Sequence, residues 1–280
     1  MMWIGIQKIH QRMNAPGMII RKKSRDYIIL DNKRIEVAWF GPSPREAPTI
    51  VFLHEGLGCV SMWRDFPEKL SAATGCGALV YSRLGYGGSD PCRLPRSIRF
   101  MFHEGLVVLP RLLEAAGIGE SIIIGHSDGG SIAIIYAGGG VASGLRGLIT
   151  EAAHVFCERV TLDSIRKAMQ AYVNGDLREK LEKYHGRNVG CAFRGWNDTW
   201  LHPDFVYWNI ERYLPQIIVP TLIIQGQEDE YGTPLQADAI YQQAGGESEL
   251  LMLPNCGHAP HIQQEMPTLE AMTRFILDVV

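Results

Sequence analysis

Short apolar, β-branched runs return along this chain at intervals filled by helix-patterned segments, and that rhythm leaves few folds open. TIVFLH (49–54), GALVYS (77–82), SIIIG (121–125), LRGLIT (145–150), PTLIIQG (220–226) and ELLMLP (249–254) are continuous enough to be strands buried on both faces. Between and after them lie SMWRDFPEKLSAAT (61–74), FMFHEGLVVLPRLLEAAGI (100–118), GGSIAIIYAGG (129–139), PLQADAIYQQA (234–244) and MPTLEAMTRFILDVV (266–280), which read as helices. Pro67 needs an early position in its helix, and Pro110 should kink the next. DYIIL (26–30) and RIEVAWF (34–40), joined by DNK, predict a hairpin. Strands alternating with helices predict an α/β protein with a mostly parallel, doubly wound sheet of about eight strands. The rhythm lapses over 155–215, where aromatic-rich helical segments predict an inserted lid after the sixth strand. The expected organisation is an extension at 1–25, a core of 26–154 with 216–280, and the insertion.

A length of 280 residues with 46% hydrophobic side chains suits one large domain. Lys and Arg number 27 against 30 Asp and Glu, so the net charge of −3 leaves no basic footprint for nucleic acid. The one local basic run, Arg21-Lys22-Lys23-Ser24-Arg25, is short and broken, and reads as a solvated approach to the first strand. No run reaches the roughly 18 apolar residues of a membrane span, and the N-terminus does not read as a secretory signal. Six scattered cysteines without a C-x-x-C pair read as reduced thiols of a cytoplasmic protein, with no metal site and no cofactor implied. The partner expected is a small molecule, and a homodimer is compatible with the composition.

Within this frame, Gly125-His126-Ser127-Asp128-Gly129 interrupts the chain where a buried strand stops and an apolar helix starts. G-x-S-x-G alone is a weak signal. Its placement between strand and helix strengthens it, because a sharp turn there needs small residues two positions either side of the serine. Ser127 is then held at the carboxyl edge of the sheet, where open α/β folds place their sites. A serine hydroxyl needs a base, and the base an orienting acid. The loop after TLIIQG offers Glu228, Asp229 and Glu230, and the loop after ELLMLP offers His258 and His261. The order serine, acid, histidine is the one this turn type calls for.

On these residues the chain resembles the α/β-hydrolase superfamily, over nearly all of 26–280. The resemblance implies Ser127 as nucleophile, His258 (after Gly257) as base and Asp229 (three residues after Gly226) as acid. Glu151, just past LRGLIT, is the backup acid, and His261 reads as a helix-start or pocket residue. It further implies an oxyanion hole from the backbone N–H groups of Asp128 and of the loop His54-Glu55-Gly56-Leu57-Gly58. Gly56 is the chosen donor and Leu57 the alternative, because Glu55 stands where the family usually has glycine. SRLGYGGSD (82–90) resembles a scaffold loop of the family held by a buried charge pair involving Arg83; Ser82 replaces a commoner aspartate nearby.

Asp128 itself could repel anionic substrates, raise the pKa of His258, or simply favour the helix N-terminus. Pocket candidates are Leu57, His126, Trp196 and Trp200, the two tryptophans expected to be partly exposed. Most other insertion aromatics read as its own small core. The leading function is hydrolysis of a small carboxylic ester through an acyl-enzyme, with His258 titrating near ~6.5. Two alternatives stay open. One is carbon–carbon hydrolysis or lyase chemistry on the same triad, with Arg64, Arg83, Arg187 or Arg194 meeting an anionic substrate. The other is a non-catalytic ligand-binding protein that has kept the fold.

Overall fold

The structure, a computed structural model, describes residues 26–280. The expected extension and its basic run at 21–25 lie outside the described residues. Eight strands form one sheet: β1 (Asp26–Leu30), β2 (Lys33–Phe40), β3 (Thr49–Leu53), β4 (Gly77–Tyr81), β5 (Ser121–His126), β6 (Leu145–Glu151), β7 (Thr221–Gly226) and β8 (Ser248–Leu253). Their order is β1-β2-β4-β3-β5-β6-β7-β8. The β1–β2 hairpin and the β2–β4 pair are antiparallel, and all other pairs are parallel.

The helices are α1 (Phe66–Thr74), α2 (Phe100–His103), α3 (Leu109–Ala116), α4 (Asp128–Gly138), α5 (Arg159–Asn174), α6 (Leu177–His185), α7 (Val189–Trp200), α8 (Pro234–Gln243), α9 (Pro260–Gln263) and α10 (Glu265–Val279). Strand side chains alternate between two cores, as a pleat with a period of two requires. Val51 and Leu53 of β3 face the core that holds Leu112, Ile135 and Trp200. Ile50 and Phe52 face the one that holds Trp63, Phe66 and Phe275. Covering both faces explains why the parallel strands are continuously apolar.

Two helices depart from their expected limits. The first begins at Phe66 rather than near 61, because Trp63 turns into the core against Phe52 with ring centres 5.0 Å apart. Arg64 breaks the chain at φ 55°, and Pro67 then takes the first turn, where its missing N–H costs nothing. The second expected helix contains a π-helical turn, Glu104–Val108, between α2 and α3. Pro110 cannot donate to the carbonyl one turn back, and the widened turn accommodates that loss. Over 155–215 the described residues form α5, α6, α7 and short 3₁₀ turns without a strand, and a bridge between Phe156 and Asn209 ties the two ends.

The turn between β5 and α4 fixes everything at the sheet's edge. A Cβ on Gly129 would lie 2.0 Å from the Leu53 carbonyl oxygen, and one on Gly125 would lie 2.3 Å from the Gly129 carbonyl oxygen. Both obstacles are backbone and cannot swing aside. Gly129→Ala is therefore expected to destabilise the fold by more than about 2 kcal/mol. Urea or thermal unfolding of the variant measures this, and a wild-type midpoint would show that the helix can retreat from β3.

Candidate active site

Ser127 sits at φ 52°, ψ −116°, between the last residue of β5 and the first of α4. Its N–H donates to the Glu151 carbonyl (2.8 Å), continuing the β5–β6 ladder, and its carbonyl accepts from the Ser131 N–H (3.0 Å), opening the helix. Hydrogen bonds on both sides hold a backbone that a serine rarely adopts. The hydroxyl points to His258: Ser127 Oγ lies 2.9 Å from Nε2. On the far side of the ring, His258 Nδ1 lies 2.8 Å from Asp229 Oδ1. That same oxygen accepts the N–H groups of Tyr231 (2.8 Å) and Gly232 (3.2 Å), and the Asp229 side chain is 1% exposed. The structure thus brings together the hydroxyl, imidazole and carboxylate from the three loops named from sequence.

Glu151 does not join them. Its carboxylate receives His261 Nδ1 at 2.8 Å, both side chains buried, so the backup acid serves a different histidine. His261 stacks on Trp63, ring centres 4.5 Å apart. His126 donates from Nε2 to the His258 carbonyl (2.6 Å) and so braces the backbone of His258 rather than lining open space. His126, Glu151 and His261 offer ligand atoms within 4.8 Å of one another, the one such grouping found among the described residues. Each already has the protein partner just given, which makes the trio a buried bracing network beneath His258.

The charges around the ring set its titration. Burial opposes the protonated imidazole, but the hydrogen bond and charge of Asp229, with the charges of Glu230 and Glu55, raise the His258 pKa above its ordinary value. Burial also opposes the Asp229 carboxylate, and the His258 bond with the Tyr231 N–H outweighs it and lowers that pKa. His154, unremarked in the sequence, lies just beyond β6 with its ring 5.7 Å from that of His258; burial, then the His258 charge, holds it down to about 3. The Tyr231 ring lies 4.7 Å from that of His258. A polar residue in a loop directly following a strand's carboxyl end was the available signal for both.

The loop after β3 is clamped. Arg83, fully buried, donates to the carbonyls of His54 (2.5 Å) and Glu55 (2.9 Å), and its backbone N–H donates to His54 Nε2 (3.1 Å). The expected charge pair is therefore replaced by a guanidinium–carbonyl clamp. Ser82 instead donates to Glu36 (2.7 Å). The Glu55 carboxylate accepts the Leu57 N–H, so of the two loop amides considered from sequence, Leu57 is already engaged. Gly56 has the indole of Trp196 against it: a Cβ there would lie 2.3 Å from Trp196 Cδ1 and Nε1.

Trp196 and Trp200 are 6% and 1% exposed, so the expected partial exposure is not found. Trp200 packs on Phe205 and Trp208, with ring centres at 4.6 and 5.6 Å. Its indole N–H donates to Asp128 Oδ1 at 3.0 Å. Asp128 is wholly buried and its Oδ2 has no partner; burial raises its pKa, opposed by Arg83 and the Trp200 bond. Asp229, Glu230 and Glu55 are the acids that raise His258 most, and Asp128 also interacts with it electrostatically.

The sequence over residues 50–270 matches the profile of the alpha/beta hydrolase family. The chain belongs to that family. Among solved structures, this alpha/beta hydrolase is similar to a putative lipase from Acinetobacter baumannii AYE (20% identity, TM-score 0.71, covering 91% of each chain). It is also similar to the esterase RhEst1 from Rhodococcus sp. ECU1013 (17%, 0.67, covering 91% of this chain and 99% of that one). Epoxide hydrolases from metagenomes of hot environments align as well (20%, 0.70, covering 90% and 98%). At these identities the likeness is one of fold. No curated protein matches the sequence.

The Trp200–Asp128 bond links α7 of the hydrolase to the residue after Ser127. A double-mutant cycle of Trp200→Phe and Asp128→Asn is expected to give a coupling of about 1–2 kcal/mol in urea unfolding. Additive effects would mean that the two residues contribute separately.

Proposed function

We propose that this alpha/beta hydrolase cleaves a small carboxylic ester through an acyl-enzyme. The observation that carries the reading is the continuous line from Ser127 Oγ through His258 to Asp229, with hydrogen bonds of 2.9 and 2.8 Å. In this reading His258 takes the Ser127 proton as Oγ attacks the carbonyl carbon. Asp229 holds the ring with Nδ1–H outward and stabilises the imidazolium that forms. The oxyanion rests on the N–H groups of Gly56 and Asp128, the first because it leaves the loop without a side chain, the second because first-turn amides of a helix lack intrahelical acceptors. His258 then returns the proton to the leaving alcohol, and water repeats the sequence to release the acid. The segment 155–215 acts as the lid, with Trp196 over Gly56 as the wall nearest the reacting carbonyl.

The charges favour an ester over an anionic dienoate. Arg83 is spent on backbone carbonyls, and Arg64, Arg187 and Arg194 are exposed. The acids Glu55, Asp128 and Glu230 meanwhile stand close enough to His258 to interact with it electrostatically. A carboxylate substrate would meet repulsion there. Six free cysteines fit a reducing compartment, which we take to be the cytoplasm, and no helix among the described residues is long and apolar enough to cross a membrane.

Two measurements test the reading. A fluorophosphonate probe should label Ser127, and Ser127→Ala should lose labelling together with on the order of 10⁴-fold or more of kcat on short-chain p-nitrophenyl esters. Undiminished activity in the variant would sink it. The pH profile supplies the second. Protonated His258 cannot accept a proton, so kcat/KM falls as pH drops through its folded-state pKa, which lies above the ordinary ~6.5. Glu55→Gln removes one of the acids raising that value, and the acidic limb should move to lower pH. An upward shift would contradict the assigned electrostatics.

A further inference from the structure

Cys92 and Cys191 are 99 positions apart, yet their sulfurs lie 2.9 Å from each other. Cys92 belongs to the loop after β4, the loop that supplies Arg83 to the clamp, and Cys191 lies in the first turn of α7. Both are half-buried and neither is in a disulfide. Gly85, at φ 87°, forms the floor beneath them: a Cβ there would lie 2.7 Å from Cys92 Sγ and 2.8 Å from Cys191 Sγ. Any other residue would push the thiols apart.

Arg96 closes the remaining side. Its Nη2 lies 3.1 Å from Cys92 Sγ, and its guanidinium is fixed over the Tyr86 ring (4.9 Å) and by the Leu84 carbonyl (3.0 Å). The Cys191 thiol's hydrogen bond, then the Arg96 charge, outweigh burial and hold the Cys92 pKa well below the ordinary thiol range, while Cys191 keeps its proton. Burial moves the other four cysteines, Cys59, Cys76, Cys157 and Cys256, the opposite way. A thiolate backed by a cation, with a second thiol in contact, is the arrangement that reacts with peroxides.

We propose that Cys92 and Cys191 form a redox modification site that hydrogen peroxide converts to a disulfide stapling α7 to the core. The Cys92 thiolate attacks one peroxide oxygen. The O–O bond breaks, leaving a sulfenic acid at Cys92 and hydroxide, which is protonated to water. Cys191 gives up its proton as its sulfur attacks Cys92 Sγ. The S–O bond breaks, and the departing hydroxide takes that proton as a second water. Two electrons pass from the thiol pair to the peroxide, and a dithiol reductant reverses the change. The sulfurs need only close from 2.9 Å to a bond of about 2.05 Å. The staple would hold the helix that carries Trp196 against Gly56 and Trp200 against Asp128. It stands whether or not the ester reading does.

The test uses the full chain, reduced and then treated with a slight excess of hydrogen peroxide. Intact mass should fall by about 2 Da, and a non-reducing peptide map should join the Cys92 and Cys191 peptides. The thermal midpoint should rise by roughly 5 °C and return with dithiothreitol. Cys92→Ser and Cys191→Ser should each abolish the link and the rise. Should either variant fold poorly, the wild-type map decides by itself. Sulfinic acid at Cys92 with Cys191 still open to iodoacetamide would overturn the proposal, as would two unchanged thiols or a link elsewhere.

Discussion

The close approach of α4 to β3 is the constraint on which the site depends. With hydrogen as its only side chain, Gly129 lets the helix start against the Leu53 carbonyl, and Gly125 lets the strand end beneath Gly129. Between them Ser127 has no relaxed conformation and stands at φ 52°. Strain of this kind costs of order 1–3 kcal/mol and persists only where surroundings over-determine the backbone. Here the surroundings are the Glu151 carbonyl on one side and the first helical bond on the other. Because the strand ladder and the helix both pass through this residue, the hydroxyl's position is set by the sheet, not by a mobile loop.

The rim around that hydroxyl is built from groups that would be costly to bury alone. Arg83 has two carbonyl acceptors, Glu151 has His261, and Asp128 has Trp200. The neutral imidazoles of His54 and His126 are each tied to a carbonyl oxygen, of Glu55 and His258. Burial lowers both their pKa values, which keeps positive charge away from His258. Some buried atoms of the rim have no hydrogen-bond partner, Asp128 Oδ2, Glu151 Oε1 and Arg83 Nε among them, and at Asp128 burial raises the carboxyl's pKa.

Much of this was readable in the sequence because it follows from period and order. Continuous apolar runs gave the parallel strands, and chain order gave Ser127, Asp229 and His258 their loops. What escaped depends on side-chain direction. Glu151 and Asp229 both follow strand ends, and no pattern says which histidine each will meet. Pairing Glu151 with His261 needs Trp63 turned inward, which also delays α1 to Phe66. Trp196 and Trp200 are buried because α7 packs against the loop after β3 and the start of α4, a packing choice invisible in composition. Cys92 and Cys191 are a random-looking pair until β4's loop and α7 come together.

The Ser127–His258–Asp229 line also carries a conflict between stability and work. His258 has its pKa raised on folding, so its stabilising contribution is fully present below the unfolded value of about 6.5 and fades as pH rises through the folded one. Asp229 has its pKa lowered, so its contribution is present above the unfolded value of about 3.9 and fades as pH falls through the folded one. Both contributions are complete together only between those unfolded values, where His258 is protonated and cannot act as a base. The neutral imidazole that the proposed ester hydrolysis requires appears at higher pH, after the ion pair has given up its charge. The bracing of His258 by backbone bonds, through the His126 Nε2–H to its carbonyl and its own N–H to Glu230, does not titrate with the ring, and it keeps the imidazole in place when the ion pair no longer does.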